Sequence, residues 1–139
     1  GCSYYFGSGT TQNYEQAVKW FTHSAEQGNS SAQCNLGDAY ENGNGVPQDY
    51  GKAIEWYTKS AQQGAATAQF SLAQIYAEGE GVPQDYIEAY AWALLAETNG
   101  YSEAMSAITQ ELTPDQIAQG QLRAVELQEE LDQYATSAN

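Results

Sequence analysis

The sequence predicts an all-α fold, an α/α superhelical solenoid of helix-turn-helix repeats closed by a long C-terminal capping helix. Three observations carry this. Identical residues recur 36 positions apart, one turn block returns almost unchanged, and the last fifth opens on a strong helix-start signal. Tyr14, Tyr50 and Tyr86 share a column, as do Ala17, Ala53 and Ala89, Trp20, Trp56 and Trp92, and Gly28, Gly64 and Gly100. The block Gly43-Asn44-Gly45-Val46-Pro47-Gln48-Asp49-Tyr50 returns as Gly79-Glu80-Gly81-Val82-Pro83-Gln84-Asp85-Tyr86, and survives in part as Gly7-Ser8-Gly9-Thr10-Thr11-Gln12-Asn13-Tyr14.

Each unit reads as two helices. Ala32, Leu36, Ala39 and Tyr40 recur at helical spacing, and Gly43 follows where a left-handed C-cap favours glycine, which ends the first helix of the unit. Pro47 cannot continue a helix, and Asp49 is placed to cap the next one. Asp85 with Glu88, and Asn13 with Gln16, add a capping-box spacing. In the second helix Ala53, Trp56, Tyr57 and Ser60 share one face, which the spacing assigns to the core. One hairpin cannot cover its own apolar stripe, so such units stack.

The array is expected to span 1–111, with a partial unit at 1–30, complete units at 31–66 and 67–102, and a degenerate helix at 103–111. The chain begins inside a repeat, which reads as a fragment or processed form. Thr113-Pro114-Asp115-Gln116 then opens a capping helix over 112–135, with Ile117, Ala124, Leu127 and Leu131 on its apolar side and Leu122 and Val125 off that stripe. This helix is expected to cap the core rather than pair with a second copy, so a monomer is favoured, and 136–139 is expected to fray.

Composition narrows the function. Hydrophobic residues at 42% exclude a disordered chain, and 139 residues fit one domain. Four Lys plus Arg against eighteen Asp plus Glu give a net charge of -14, which repels nucleic acid and anionic lipid and attracts basic partners. No apolar run is long enough to span a bilayer, so membrane insertion is not expected. The two cysteines, Cys2 and Cys34, match no metal-ligand spacing and do not fix the redox compartment.

At these columns the chain resembles the Sel-1-like repeat family, a relative of the tetratricopeptide repeats. The family pattern of an Ala-rich helix with Leu-Gly and Tyr, a Gly-x-Gly-Val turn, Gln-Asp-Tyr, then Ala, Trp and a closing Gly is met at residues 32–64 and closely followed at 68–100. The later unit departs at Ala73, where Gly37 stands before it, and at Glu97, where Ala61 stands. Residues 101–132 look like the C-terminal segment of many bacterial members. The resemblance implies a non-catalytic adaptor or scaffold that binds a protein or peptide, and a bacterial periplasmic or secreted location. Some cysteine-rich relatives are associated with β-lactam binding and hydrolysis. A purely structural role at the end of a longer scaffold is the other alternative.

The residues themselves argue against catalysis. A Ser three residues before a Lys would serve acyl chemistry, but Lys19, Lys52 and Lys59 are preceded at that distance by Gln16, Asp49 and Trp56. His23, the only histidine, shares its column with Lys59 and Leu95, which reads as a tolerant surface position. One His and two separated Cys are a poor set of zinc ligands. The run from Asp38 to Asp49 imitates a calcium loop, but Tyr40 and Asn42 stand where acids are favoured and the repeat already explains its glycines. No cofactor or metal is expected.

The resemblance also implies a concave surface lined by the first helix of each unit. It maps partner contacts onto Cys34, Asp38, Glu41 and Asn42 with Ser31 in the second unit, onto Phe70, Gln74 and Glu78 with Thr67 and Ala77 in the third, and onto Tyr5 and Phe6 with Cys2 in the first. These positions vary while the core columns repeat, so they are free to specialise. The expected ligand is a segment with Lys or Arg and an apolar anchor. Cys2 and Cys34 fall on neighbouring helices of this surface, whose axes lie about 8–10 Å apart, and free thiols are expected.

Overall fold

The computed structural model describes residues 11–101, 106 and 108–138. Among them it holds six α-helices and one short 3-10 turn: α1 Thr11–Glu26, α2 Ser30–Asn42, α3 Tyr50–Gln62, α4 Ala66–Glu78, α5 Tyr86–Thr98, the turn Thr109–Glu111, and α6 Pro114–Ala138. Helices α2 with α3, and α4 with α5, are the two complete hairpins. Helix α1 is the second helix of the first unit.

The turn block works as its residues dictate. Gly43 and Gly79 take left-handed φ values of 71° and 72°, and their amides donate to the carbonyls of Ala39 and Ile75. Asp49 and Asp85 accept from the amides of Lys52 at 3.1 Å and Glu88 at 3.0 Å. The repeated glutamine has a definite task. Gln48 Nε2 donates to the Glu41 carbonyl at 2.8 Å and Gln84 Nε2 to the Ala77 carbonyl at 2.8 Å, tying the end of one helix to the start of the next.

The first unit differs. Helix α1 is already formed at Thr11, so Asn13 lies inside it rather than capping it. Where later units have Pro47 and Pro83, this one has Thr11, which keeps its amide and is already helical three residues ahead of Tyr14, the counterpart of the first helical residues Tyr50 and Tyr86.

Units are joined by a relay of buried glutamines. Gln33 Nε2 donates to the Ala25 carbonyl at 3.1 Å, and its Oε1 accepts from Gln63 at 2.8 Å. One unit later Gln69 Nε2 donates to the Ala61 carbonyl at 3.1 Å and its Oε1 accepts from Asn99 at 3.0 Å. Each amide therefore binds three helices together, and each is satisfied on both sides, as burial requires.

The tryptophan column is not uniformly core. Trp92 is buried, Trp56 is half-buried beneath Lys59, whose Nζ lies 4.5 Å from the ring centroid, and Trp20 is 68% exposed. The His23 column divides the same way, exposed at His23 and buried at Leu95. These faces are covered only where a neighbouring helix reaches them.

Helix α6 caps the array. Thr113 Oγ1 accepts from the Gln116 amide at 3.2 Å while Gln116 Oε1 accepts from the Thr113 amide at 3.0 Å, a reciprocal capping box. Ala124, Leu127 and Leu131 bury against the main core, and Arg123 Nε meets Glu88 Oε1 of α5 at 2.7 Å. The helix continues to Ala138, past the expected end at 135, since none of Ala135 to Ala138 is a glycine or proline that would stop it. Most of the degenerate helix expected at 103–111 lies outside the described residues. No described helix is long and apolar enough to cross a membrane.

Candidate partner-binding surface

The carboxyl ends of α2 and α4 carry most of the expected contact residues, and Tyr57 of α3 organises them. Tyr57 is fully buried, yet its hydroxyl reaches the edge of the helix pair and donates to Glu41 Oε1 at 2.7 Å, with Asp38 Oδ1 at 3.4 Å. A hydroxyl has one proton, so the shorter contact holds it. Asn42 Nδ2 donates to Asp38 Oδ1 at 3.1 Å and closes the set. Room for the Tyr57 ring comes from Gly37, where an added Cβ would lie 2.8 Å from ring atom Cδ1.

Electrostatics follow from this placement. Partial burial raises the Asp38 carboxyl above its ordinary value, opposed by the Tyr57 and Asn42 hydrogen bonds. Burial raises Glu41 as well, with the Tyr57 bond opposing and the charges of Asp38 and Glu80 adding to the rise. Glu78 is raised by desolvation and then by Glu80. The Tyr57 hydroxyl is pushed far up by burial and by the Glu41 and Asp38 charges, so it is always a donor here. Tyr50 is raised by desolvation, then by Glu80, Glu41 and Glu78, which places its hydroxyl beside the same carboxylates. Among the described residues no Lys or Arg forms a salt bridge with Asp38, Glu41, Glu78 or Glu80.

Two expected contact residues are placed inside. Cys34 is 3% exposed and disulfide-bonded, with its Sγ 3.8 Å from Thr67 Oγ1, so it is neither a groove residue nor the free thiol expected. Cys34 lies at the contact of α2 with α4, beside Thr67, rather than on an open face. The other cysteine of the sequence, Cys2, lies outside the described residues. Phe70 is 8% exposed and stacks on Tyr101, with ring centroids 4.5 Å apart, so it is not an open apolar anchor. Asn42 and Glu78 are exposed, and Asp38, Glu41 and Gln74 are half-buried. Tyr5 and Phe6 lie outside the described residues.

Sequence reasoning missed Tyr57, Tyr50 and Glu80. The spacing assigns Tyr57 to the core, where its ring lies, but its column holds Phe21 and Ala93, so its hydroxyl is particular to the second unit. Glu80 stands where Asn44 stands one unit earlier, inside a turn otherwise explained by geometry. In both cases the varying residue was hidden among invariant neighbours. No group of three or more His, Cys, Asp or Glu side chains suited to a metal ion occurs among the described residues.

Stacked helix hairpins and turn chemistry repeated to the residue define a tetratricopeptide-like repeat scaffold. The Sel1 repeat profile matches residues 1–29, 30–64 and 66–101, and the chain belongs to that family, whose members generally act as protein-interaction modules. It is similar to c5321, a protective antigen of uropathogenic Escherichia coli with an SLR fold, at 37% identity and a TM-score of 0.83, over 96% of this chain and 29% of that one. It is also similar to a Sel1 repeat protein from Oxalobacter formigenes, at 34% identity and a TM-score of 0.68, over 74% of this chain and 42% of that one. This chain thus spans well under half the length of either. No curated protein matches the sequence.

Proposed function

We propose that the chain is a non-catalytic adaptor that holds a basic peptide segment across the ends of α2 and α4. The observation that carries this is the group Asp38, Glu41, Glu78 and Glu80 at the ends of α2 and α4, the first two held by the Tyr57 hydroxyl, with no salt bridge to a Lys or Arg among the described residues. A Lys or Arg from a partner would offset the repulsion by Asp38 and Glu80 that raises Glu41, and would compensate with opposite charge the partial burial that raises both Asp38 and Glu41. Asn42, bonded to Asp38, and Gln74, one helical turn before Glu78, add neutral donors and acceptors.

Calorimetric titration of Lys- and Arg-containing peptides tests this, with wild type compared against the doubly reversed variant Glu78→Lys, Glu80→Lys. Both positions lie at or beyond the end of α4, so the fold should persist, as circular dichroism would check. Affinity is expected to fall about tenfold or more. It should also fall with added salt. Equal affinity for both proteins would overturn the reading.

A further inference from the structure

The chain carries three Asn-Gly pairs, Asn42-Gly43, Asn44-Gly45 and Asn99-Gly100. Such a pair is prone to cyclise. With no side chain on the second residue to obstruct it, the glycine nitrogen can reach the asparagine side-chain carbonyl and close a five-membered ring. Whether a folded protein permits the reaction depends on what already holds the two groups.

Two of the pairs are tied down. Asn42 Nδ2 donates to the Asp38 carbonyl at 3.0 Å and to Asp38 Oδ1 at 3.1 Å, and the Gly43 amide donates to the Ala39 carbonyl to cap α2. Asn99 Nδ2 donates to Gln69 Oε1 at 3.0 Å, and the Gly100 amide donates to the Glu97 carbonyl at 3.1 Å. The middle pair differs. Asn44 lies in the irregular turn after α2, half-buried, and its own amide donates to the Ala39 carbonyl at 2.9 Å. Among the described residues neither the Asn44 carboxamide nor the Gly45 amide has a hydrogen-bond partner. Both reacting groups are therefore available at this pair and at neither of the others.

We propose that Asn44 is a self-modification site, converted to an acid by attack of the Gly45 nitrogen on its side chain. Hydroxide takes the Gly45 amide proton, the nitrogen bonds to Asn44 Cγ, and the Cγ–Nδ2 bond breaks. The leaving nitrogen takes a proton from water and departs as ammonia, which returns the hydroxide. Water then opens the succinimide at either carbonyl, giving an aspartyl or an isoaspartyl residue. In sum water replaces ammonia, with no oxidant or cofactor, and one carboxylate is added to a chain of net charge -14.

The two products differ in what they do to the fold. Glu80 occupies the same column in the third unit, between Gly79 and Gly81 at φ of 72° and 76°, against 71° and 80° for Gly43 and Gly45. The same backbone thus already carries an acid, and the aspartyl form fits the turn. The isoaspartyl form lengthens the main chain by one methylene between two fixed points. One is the Gly43 cap, and the other is Gly45, which lies so close to α1 that a Cβ there would be 2.5 Å from the Tyr14 carbonyl oxygen. The added length loosens the joint between the first and second units.

Incubating the folded full chain at mildly alkaline pH, then digesting it for tandem mass spectrometry, tests this, since conversion raises the residue mass by about one dalton. Each tied pair must first break a side-chain and a main-chain hydrogen bond, so Asn44 should convert about tenfold faster than Asn42 or Asn99, or more. In denaturant the three rates should come together. Asn44→Gln should fail to form the new acidic species at this position, because its longer side chain must close a six-membered ring. The converted protein should melt below Asn44→Asp, the isoaspartyl fraction accounting for the difference. An Asn44 that stays intact in the folded protein while the denatured chain converts overturns the proposal. So does equal conversion of the three pairs in the folded protein.

Discussion

The second and third units use one backbone plan in two ways. In the second, Gly37 clears space for the ring of Tyr57, and the hydroxyl beyond it holds Glu41. In the third, the same two columns hold Ala73 and Ala93, both fully buried. The helix pair stays packed in each case, but only the second unit delivers a polar atom to the surface. Here Phe70 and Tyr101 occupy the third unit instead. The departure of Ala73 from the repeat thus goes together with the loss of the ring at Ala93.

Breaking that pairing should give the largest effect. Tyr57→Ala removes a fully buried aromatic ring and should cost about 3–5 kcal/mol in chemical denaturation. Gly37→Ala alone forces a methyl against the Tyr57 ring and should cost about 1–3 kcal/mol. Together they recreate the Ala73–Ala93 pair, so the double variant should be more stable than the sum of the two losses by about 1 kcal/mol or more. Simple additivity would mean that the two columns do not depend on each other.

The glycines sharpen the comparison from the backbone side. Gly81 has φ of 76°, and a Cβ there would lie 2.3 Å from Cβ of Tyr50 in the preceding unit, whereas Gly64 has φ of 87° with open space around it. Both substitutions to Ala incur about 1–2 kcal/mol for the left-handed backbone. Only Gly81→Ala adds a clash between units, so its melting temperature should fall clearly further. Equal losses would show that the turn does not seat on Tyr50.

Much of this was legible in the sequence because the periodic residues have local duties. Asp49, Asp85 and Thr113 cap the helices they precede, and the spacing announced each one. What was not legible depends on a third element. Trp20, Trp56 and Trp92 are identical in sequence yet run from exposed to buried, because their environment is set by which helix lies across them. Cys34 and Phe70 vary between units as surface residues do, but α4 and Tyr101 cover them. The Gln33 and Gln69 relay went unnoticed because polar residues in a repeat read as solvated until burial is known. Variation therefore found the acidic surface but could not separate open positions from covered ones.

The smallest effect tests whether Tyr57 strains the carboxylates it holds. Burial raises Glu41 in the folded state, so the folded protein binds its proton more tightly than the unfolded chain does. Its contribution to stability is therefore full below the unfolded value of 4.5 and is lost as pH rises through the higher folded value. Glu41→Gln removes the ionisation while leaving an oxygen for Tyr57 to donate to. The variant should match wild type closely in acid and exceed it slightly at neutral pH, by less than about 1 kcal/mol because solvent screens a half-exposed group. Tyr57→Phe supplies the contrast, because Glu41 then loses the bond that stabilises its ionised form and rises further. The fall in stability between acid and neutral pH should be steeper in Tyr57→Phe than in wild type and shallower in Glu41→Gln. Parallel curves for the three proteins would detach Glu41 from the hydroxyl and leave the second unit no different from the third in this respect.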